Sequence, residues 1–149
     1  MIVLRITRGI AAHFPIRLTE WLMCYPAFLM GAVLVLQPEM FDTSPSFATV
    51  AKWGDESAWA SVVLSCAALR LIALVVNGTF KAFRFSPHLR ALSSFVGVLF
   101  WSQFGLGFTA AAIFGAGAWS APVAYSTLAL AELANLYRSA SDIGRASKR

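Results

Sequence analysis

Apolar residues along this chain fall in four long blocks, at about residues 18–36, 59–76, 92–114 and 119–137. Each block is close to the ~20 residues that an α-helix needs to cross the hydrocarbon core of a bilayer. Breaks separate the blocks. Pro15 precedes the first, and Pro26 inside it removes a backbone donor, which predicts a kink near Leu22. Asp55 is placed to cap the second helix, and Asn77-Gly78 to stop it. Ser86-Pro87 reads as N-cap and first residue of the next helix. Gly115 to Ser120 forms a short uncharged turn.

Two connecting pieces carry weaker signals. Val3, Ile6, Ile10 and Phe14 share one face of a short N-terminal helix suited to the headgroup plane. The longest connection, Gln37 to Ala58, contains Phe41, Phe47 and Trp53 and is expected to rest on the membrane surface, with Ser46 capping a short helix that reaches about Trp53. The expected fold is an all-α membrane protein: one domain over residues 1–149, built as an antiparallel bundle of four transmembrane helices with short amphipathic interfacial segments and a basic tail at 138–149.

Composition agrees with that pattern. Apolar residues make up 58% of the chain and charged residues only 13%, about half the charge of a soluble domain. A soluble fold of 149 residues could not hide that much apolar surface from water. The first block is too long for a signal-peptide core and no small-x-small site follows it, so it reads as a retained helix. Cys24 and Cys66 lie inside apolar blocks without CxxC spacing, so neither a metal site nor a redox motif is expected.

The sign of the charges sets an orientation. Arg5, Arg8 and Arg17 precede the first block. Lys81, Arg84 and Arg90 lie between the second and third, and Arg138, Arg145, Lys148 and Arg149 follow the fourth. The other two connections hold one basic residue, Lys52, while Glu39, Asp42, Asp55 and Glu56 make the long one acidic. Under the positive-inside rule both termini and the middle loop are cytoplasmic. Trp59 and Trp119 then mark the outer boundary, Trp21 and Tyr137 the inner one. The net charge of +5 is thus directed at anionic headgroups on the inner face and not at nucleic acid.

Polar residues inside the blocks are the candidate sites. Glu20, Arg70 and Glu132 all fall in the cytoplasmic half. An arginine at mid-bilayer costs at least ~2.5 kcal/mol on the insertion scale, which pairing or snorkelling reduces. Arg70 is therefore expected to pair with Glu132, Glu20 or both, as a structural pair or as part of an ion-binding carboxylate site. Cys66, Arg70, Ala73 and Asn77 follow one face of the second helix, while Glu132 and Asn135 sit together on the fourth. Facing stripes would bring Arg70 near Glu132 and Asn77 near Asn135. On the third helix Gln103, Gly107, Ala111 and Gly115 recur every fourth residue, a small-residue ridge with an amide at one end. Such a ridge serves packing within the bundle or homo-oligomerisation. His13 and His88 have no partner at motif spacing. No nucleotide loop, HExxH pattern or nucleophile elbow is present, so no catalytic residue, cofactor or metal is expected.

The run Ala68-Leu69-Arg70-Leu71-Ile72-Ala73-Leu74-Val75-Val76-Asn77-Gly78, followed by Ser86-Pro87-His88-Leu89-Arg90 and Trp101-Ser102-Gln103-Phe104, resembles small four-span proteins of phages and prophages of proteobacteria. The resemblance covers most of the chain from Trp59 onward. It implies a bacterial inner-membrane protein with a holin-like or host-membrane-modifying role, although most holins have fewer spans. Small multidrug transporters also have four short helices and a carboxylate in the first, which corresponds to Glu20, but this chain is longer and has a large acidic outer loop. A small ion- or proton-coupled transporter using Glu20 or Glu132, and an accessory subunit without activity of its own, are the alternatives. DoxX-like proteins match in size and span count but not in their glycine-lysine pattern.

Overall fold

The computed structural model describes residues 2–79, 85–115 and 117–146. Among them the chain is all helical: α1 (Ile2–His13), α2 (Leu18–Leu36), α3 (Ala48–Ala51), α4 (Glu56–Thr79), α5 (Ser86–Phe114) and α6 (Ser120–Ala146), with single 3-10 turns at Met40–Asp42 and Pro45–Phe47. The four long helices form a bundle. α2 packs beside α4 and α6, and α5 packs beside the same two, so α2 faces α5 and α4 faces α6 across the diagonals. Neighbours are antiparallel. Cys66 Sγ reaches Ser93 O and Ser86 Oγ reaches Ala73 O, so α4 descends as α5 rises. On the other side Gly97 of α5 faces Glu132, and Gly105 faces Tyr125 and Ser126 of α6.

Three helices are long and apolar enough to cross a membrane: Leu18–Leu36, Glu56–Asn77 and Ser86–Phe114. The expected fourth span lies in α6, which is not among them. Its 27 residues are enough for a crossing, but Ser126, Thr127, Glu132 and Asn135 dilute its apolar content.

The helices outrun the apolar blocks. α5 begins at Ser86 and not near residue 92, and α6 continues to Ala146, taking up the first part of the basic tail. Ser86 is the first helical residue and not the cap. Its buried hydroxyl donates to Ala73 O at 3.2 Å and ties the start of α5 to α4. α2 runs unbroken through Pro26. Asp55 caps α4 as expected, Oδ1 accepting from the Ala58 N–H at 2.8 Å. α1 packs against α4 and so does not lie apart from the bundle. The side chains of Val3 and Ile6, and all of Lys81, Arg84, Lys148 and Arg149, lie outside the described residues.

The core has two layers. One is aromatic. Phe100 stacks on Phe104 with ring centres 4.7 Å apart, Trp59 meets both edge-on, and Tyr125 lies nearly parallel to Phe108 at 5.0 Å. The connection between α2 and α4 folds onto this layer. Phe41 and Val50 are buried, Phe47 stacks on Phe41, and of the expected surface aromatics Trp53 alone is largely exposed. Ser46 is not a cap: Ser44 caps the 3-10 turn Pro45–Phe47, its hydroxyl accepting from the Ser46 N–H, and α3 follows that turn directly with no side-chain cap of its own. Two hydrogen bonds pin the connection: Trp59 Nε1 donates to Val50 O at 3.3 Å, and the Phe41 N–H donates to the buried carboxylate of Glu56 at 2.6 Å.

Glu56→Ala removes the acceptor of a buried backbone N–H, a loss of about 1–3 kcal/mol. Limited proteolysis in detergent is expected to cut residues 40–53 faster in this variant while the helical circular dichroism stays unchanged. An unaltered cleavage rate would show that Glu56 does not hold the connection.

Candidate functional site: two crossed ion pairs

The second layer of the core is ionic. Arg70 of α4 and Glu132 of α6 are nearly inaccessible, with side chains 3% and 1% exposed. Arg70 Nη1 donates to Glu132 Oε1 at 2.5 Å and Nη2 to Oε2 at 2.7 Å. This is the parallel fork in which a guanidinium fits a carboxylate best. Ser94 of α5 lies 3.5 Å from Nη2. Gly97 makes room for the fork, since a methyl group there would stand 2.6 Å from Glu132 Oε1.

A second fork spans the other diagonal. Arg90 of α5 is fully buried, and Glu20 of α2 is 1% exposed. Arg90 Nε donates to Glu20 Oε2 and Nη2 to Oε1, both at 2.6 Å. Asp142, near the end of α6, extends this pair toward the surface. It lies 3.2 Å from Arg90 Nη1, 2.8 Å from Arg17 Nη1 and 3.2 Å from Arg145 Nη2. Arg17 also reaches Glu20 at 3.3 Å. Beside them Thr19 Oγ1 donates to Asn135 Oδ1 at 2.6 Å and accepts from Arg138 Nη1 at 3.2 Å.

The expected residues therefore divide. Arg70 meets Glu132 and not Glu20, whose partner is Arg90. Asn135 bonds to Thr19 and not to Asn77, which is half-buried elsewhere on α4. The ridge on α5 is not one continuous contact. Gly107 is buried under Val50 of the α2–α4 connection, where a methyl group would come within 2.7 Å of Val50 Cγ2. The Ala111 carbonyl accepts from the Gly115 and Gly117 N–H groups, and exposed Gly115 ends the helix. Gly107 thus serves packing within the chain. Gln103 is half-buried on α5. Sequence reasoning missed Arg90, Asp142 and Gly97. A helix started at Ser86 would have shown Ser86, Arg90, Ser93, Ser94 and Gly97 on one polar, small-residue face. A helix continued past Tyr137 would have shown Glu132, Asn135, Ser139 and Asp142 on another.

The chemistry open to this cluster is restricted. Each oxygen of Glu20 and of Glu132 accepts from a guanidinium, so neither carboxylate presents a free edge to a cation. The cavity beside Arg70, Glu132, Cys66 and Gly97 has a volume of about 10 Å³, about enough for one water molecule. Among the described residues no three His, Cys, Asp or Glu side chains converge as a metal site. No protein-family model matches the chain, and neither does any curated protein or solved structure.

Breaking one fork leaves its other charge buried and alone. Arg90→Leu is expected to destabilise the bundle by about 3–5 kcal/mol, read from unfolding in mixed micelles. Gly97→Ala, which drives a methyl group into the Glu132 carboxylate, is expected to cost about 1–3 kcal/mol. Wild-type stability in both variants would contradict the geometry described here.

Proposed function

We propose that this chain is a non-enzymatic inner-membrane protein that crosses the bilayer four times, keeps both termini in the cytoplasm, and acts through its lipid-facing exterior by assembling in the membrane. The observation that carries this reading is the closed interior: Glu20 and Glu132 are both occupied by arginines, and the cavity beside Arg70 and Glu132 is about the size of one water. A coupled transporter needs a carboxylate free to bind and release its ion, and neither Glu20 nor Glu132 is free.

α6 is taken as the fourth crossing. Its polar side chains Glu132, Asn135 and Ser139 are buried against the bundle, and it turns Val123, Leu130, Leu133 and Tyr137 outward. Glu132 and Asn135 are thus hidden from lipid, and the exposed hydroxyls of Ser126 and Thr127 are satisfied within their own helix by Val123 O. Antiparallel packing of four crossings returns the C-terminus to the side of the N-terminus. The basic residues Arg17, Arg138 and Arg145 gather at that end, where anionic headgroups of the inner leaflet attract them.

The exterior is where such a protein acts. Leu99, Leu106, Leu130 and Leu133 are each at least half exposed. The resemblance to phage and prophage proteins supplies the setting: a holin-like or host-membrane-modifying subunit, whose lesion would form between copies and not through one bundle. An accessory subunit would use the same exterior with a different partner.

Three measurements test this. The chain is expected in carbonate-washed membranes, with reporters fused to either terminus responding from the cytoplasm; reporters on opposite faces would remove the fourth crossing. Timed expression in a bacterial host is expected to collapse the membrane potential abruptly. Slow growth with an intact potential would contradict the holin-like role. Glu20→Gln is expected to leave any depolarisation dependent on bundle stability alone, whereas loss of a substrate-dependent flux would restore the transporter reading.

A further inference from the structure

The end of the seam between α2 and α6 is bridged by arginines from both sides. Arg17, just before α2, reaches across to Asp142 of α6 at 2.8 Å. Arg138, on α6, reaches back to Thr19 Oγ1 of α2 at 3.2 Å. Arg17, Arg90 and Arg145 share the carboxylates of Glu20 and Asp142. Arg138 is left over: among the described residues it meets no carboxylate, and Thr19 is its one hydrogen-bond partner. The cluster therefore sets four guanidiniums against two carboxylates. The Arg70–Glu132 fork is balanced, and this end of the bundle is not.

Arg138 is exposed but not loose. Thr19 Oγ1, which accepts from it, donates in turn to Asn135 Oδ1, and Asn135 is fully buried. That chain holds the guanidinium at the mouth of the seam with most of its donors unspent. Thr19 is exposed as well, so the seam is open to the outside at this point. α2 and α6 are also the least closely packed neighbours in the bundle. One turn deeper, Leu22 on α2 and Ala134 on α6 are exposed and give the opening an apolar wall. Depth follows from the contact with α2. Thr19 is the second residue of that helix, whose 19 residues span about 28 Å at the helical rise, close to the thickness of a hydrocarbon core. Arg138 thus sits where that core ends. Tyr137 beside it is 74% exposed, a ring of the kind that settles at headgroup level.

We infer that Arg138 binds the phosphate of one anionic phospholipid at the inner end of the α2–α6 seam, with an acyl chain lying over Leu22 and Ala134. This rests on the membrane-spanning reading given above and turns its diffuse attraction for headgroups into one site. A guanidinium offers parallel donors that match two phosphate oxygens. The excess of positive charge selects a lipid with net negative charge over a zwitterionic one. The depth and the apolar wall select a lipid over a free phosphate.

The test uses the full chain purified in mild detergent, with bound lipid read by native mass spectrometry and fold by helical circular dichroism. Phosphatidylglycerol is expected to stay bound one to one, ahead of phosphatidylcholine, and inorganic phosphate is not expected to displace it. Arg138→Gln is expected to weaken phosphatidylglycerol binding roughly five-fold or more. Arg138→Lys, which keeps the charge but not the parallel donors, is expected to fall between that variant and the parent. Arg8→Gln removes the same charge from the exposed side of α1 and is expected to bind like the parent. Equal weakening by Arg8→Gln and Arg138→Gln would reduce the site to general surface attraction and overturn the inference. Equal retention of the two lipids, displacement by inorganic phosphate, or a parent without a lipid adduct would overturn it too. The membrane-spanning reading fails separately. Terminal reporters on opposite faces, with the Arg138-dependent adduct intact, would remove the fourth crossing and keep this site. Both reporters in the cytoplasm, with no adduct, would do the reverse.

Discussion

The structure depends on two guanidinium–carboxylate forks that cross the bundle along its two diagonals. Helices that pack side by side in lipid gain little from apolar surface, because the solvent they leave is as apolar as the partner they meet. What selects one arrangement is the fate of the polar groups. Four charged side chains buried in the bundle leave few solutions, and Arg70–Glu132 with Arg90–Glu20 is one in which every charge is neutralised. Each fork joins helices that are diagonal and otherwise barely touch. Two crossed struts resist the shear that four parallel rods permit, and they fix register because a fork tolerates little displacement.

The rest of the core follows from that choice. Gly97 is needed because a carboxylate must pass the surface of α5 to reach Arg70. Ser86, Ser93 and Ser94 are fully buried on the same face, where small polar side chains leave space for arginines from two directions. Beyond the forks the core turns aromatic, and the α2–α4 connection closes it by laying Val50 on Gly107 and giving the Phe41 N–H to Glu56. The interior is therefore neutralised at one end and covered at the other. That is the physical basis for assigning action to the exterior.

Much of this was legible from the sequence, and the part that was not has a common cause. The long helices followed from block length, and the cost of a lone charge in lipid called for a carboxylate beside Arg70 but left open whether Glu132, Glu20 or both would supply it. The partner of Glu20 did not, because Arg90 precedes the third apolar block and was counted with the loop that orients the chain. Apolar runs mark where lipid begins, and helices continue beyond that point. Arg90 and Asp142 both lie in such extensions, helical but outside the apolar block. The ridge on α5 was recognised as a close-packing surface, but spacing alone could not say that Val50, from a connection with no strong pattern of its own, would occupy it. Pairing Asn77 with Asn135 failed for a related reason: Thr19, at the very start of α2, reaches Asn135.

A double-mutant cycle on Arg70 and Glu132 tests the central claim most directly. Unfolding free energies would be measured in micelles for the parent, Arg70→Leu, Glu132→Leu and the double variant. The crossed-fork account predicts a loss of about 3–5 kcal/mol for each single change, with the double variant more stable than either single one, because no charge is then left buried alone. Additive losses, or an Arg70→Leu protein as stable as the parent, would mean that the fork does not hold the bundle together.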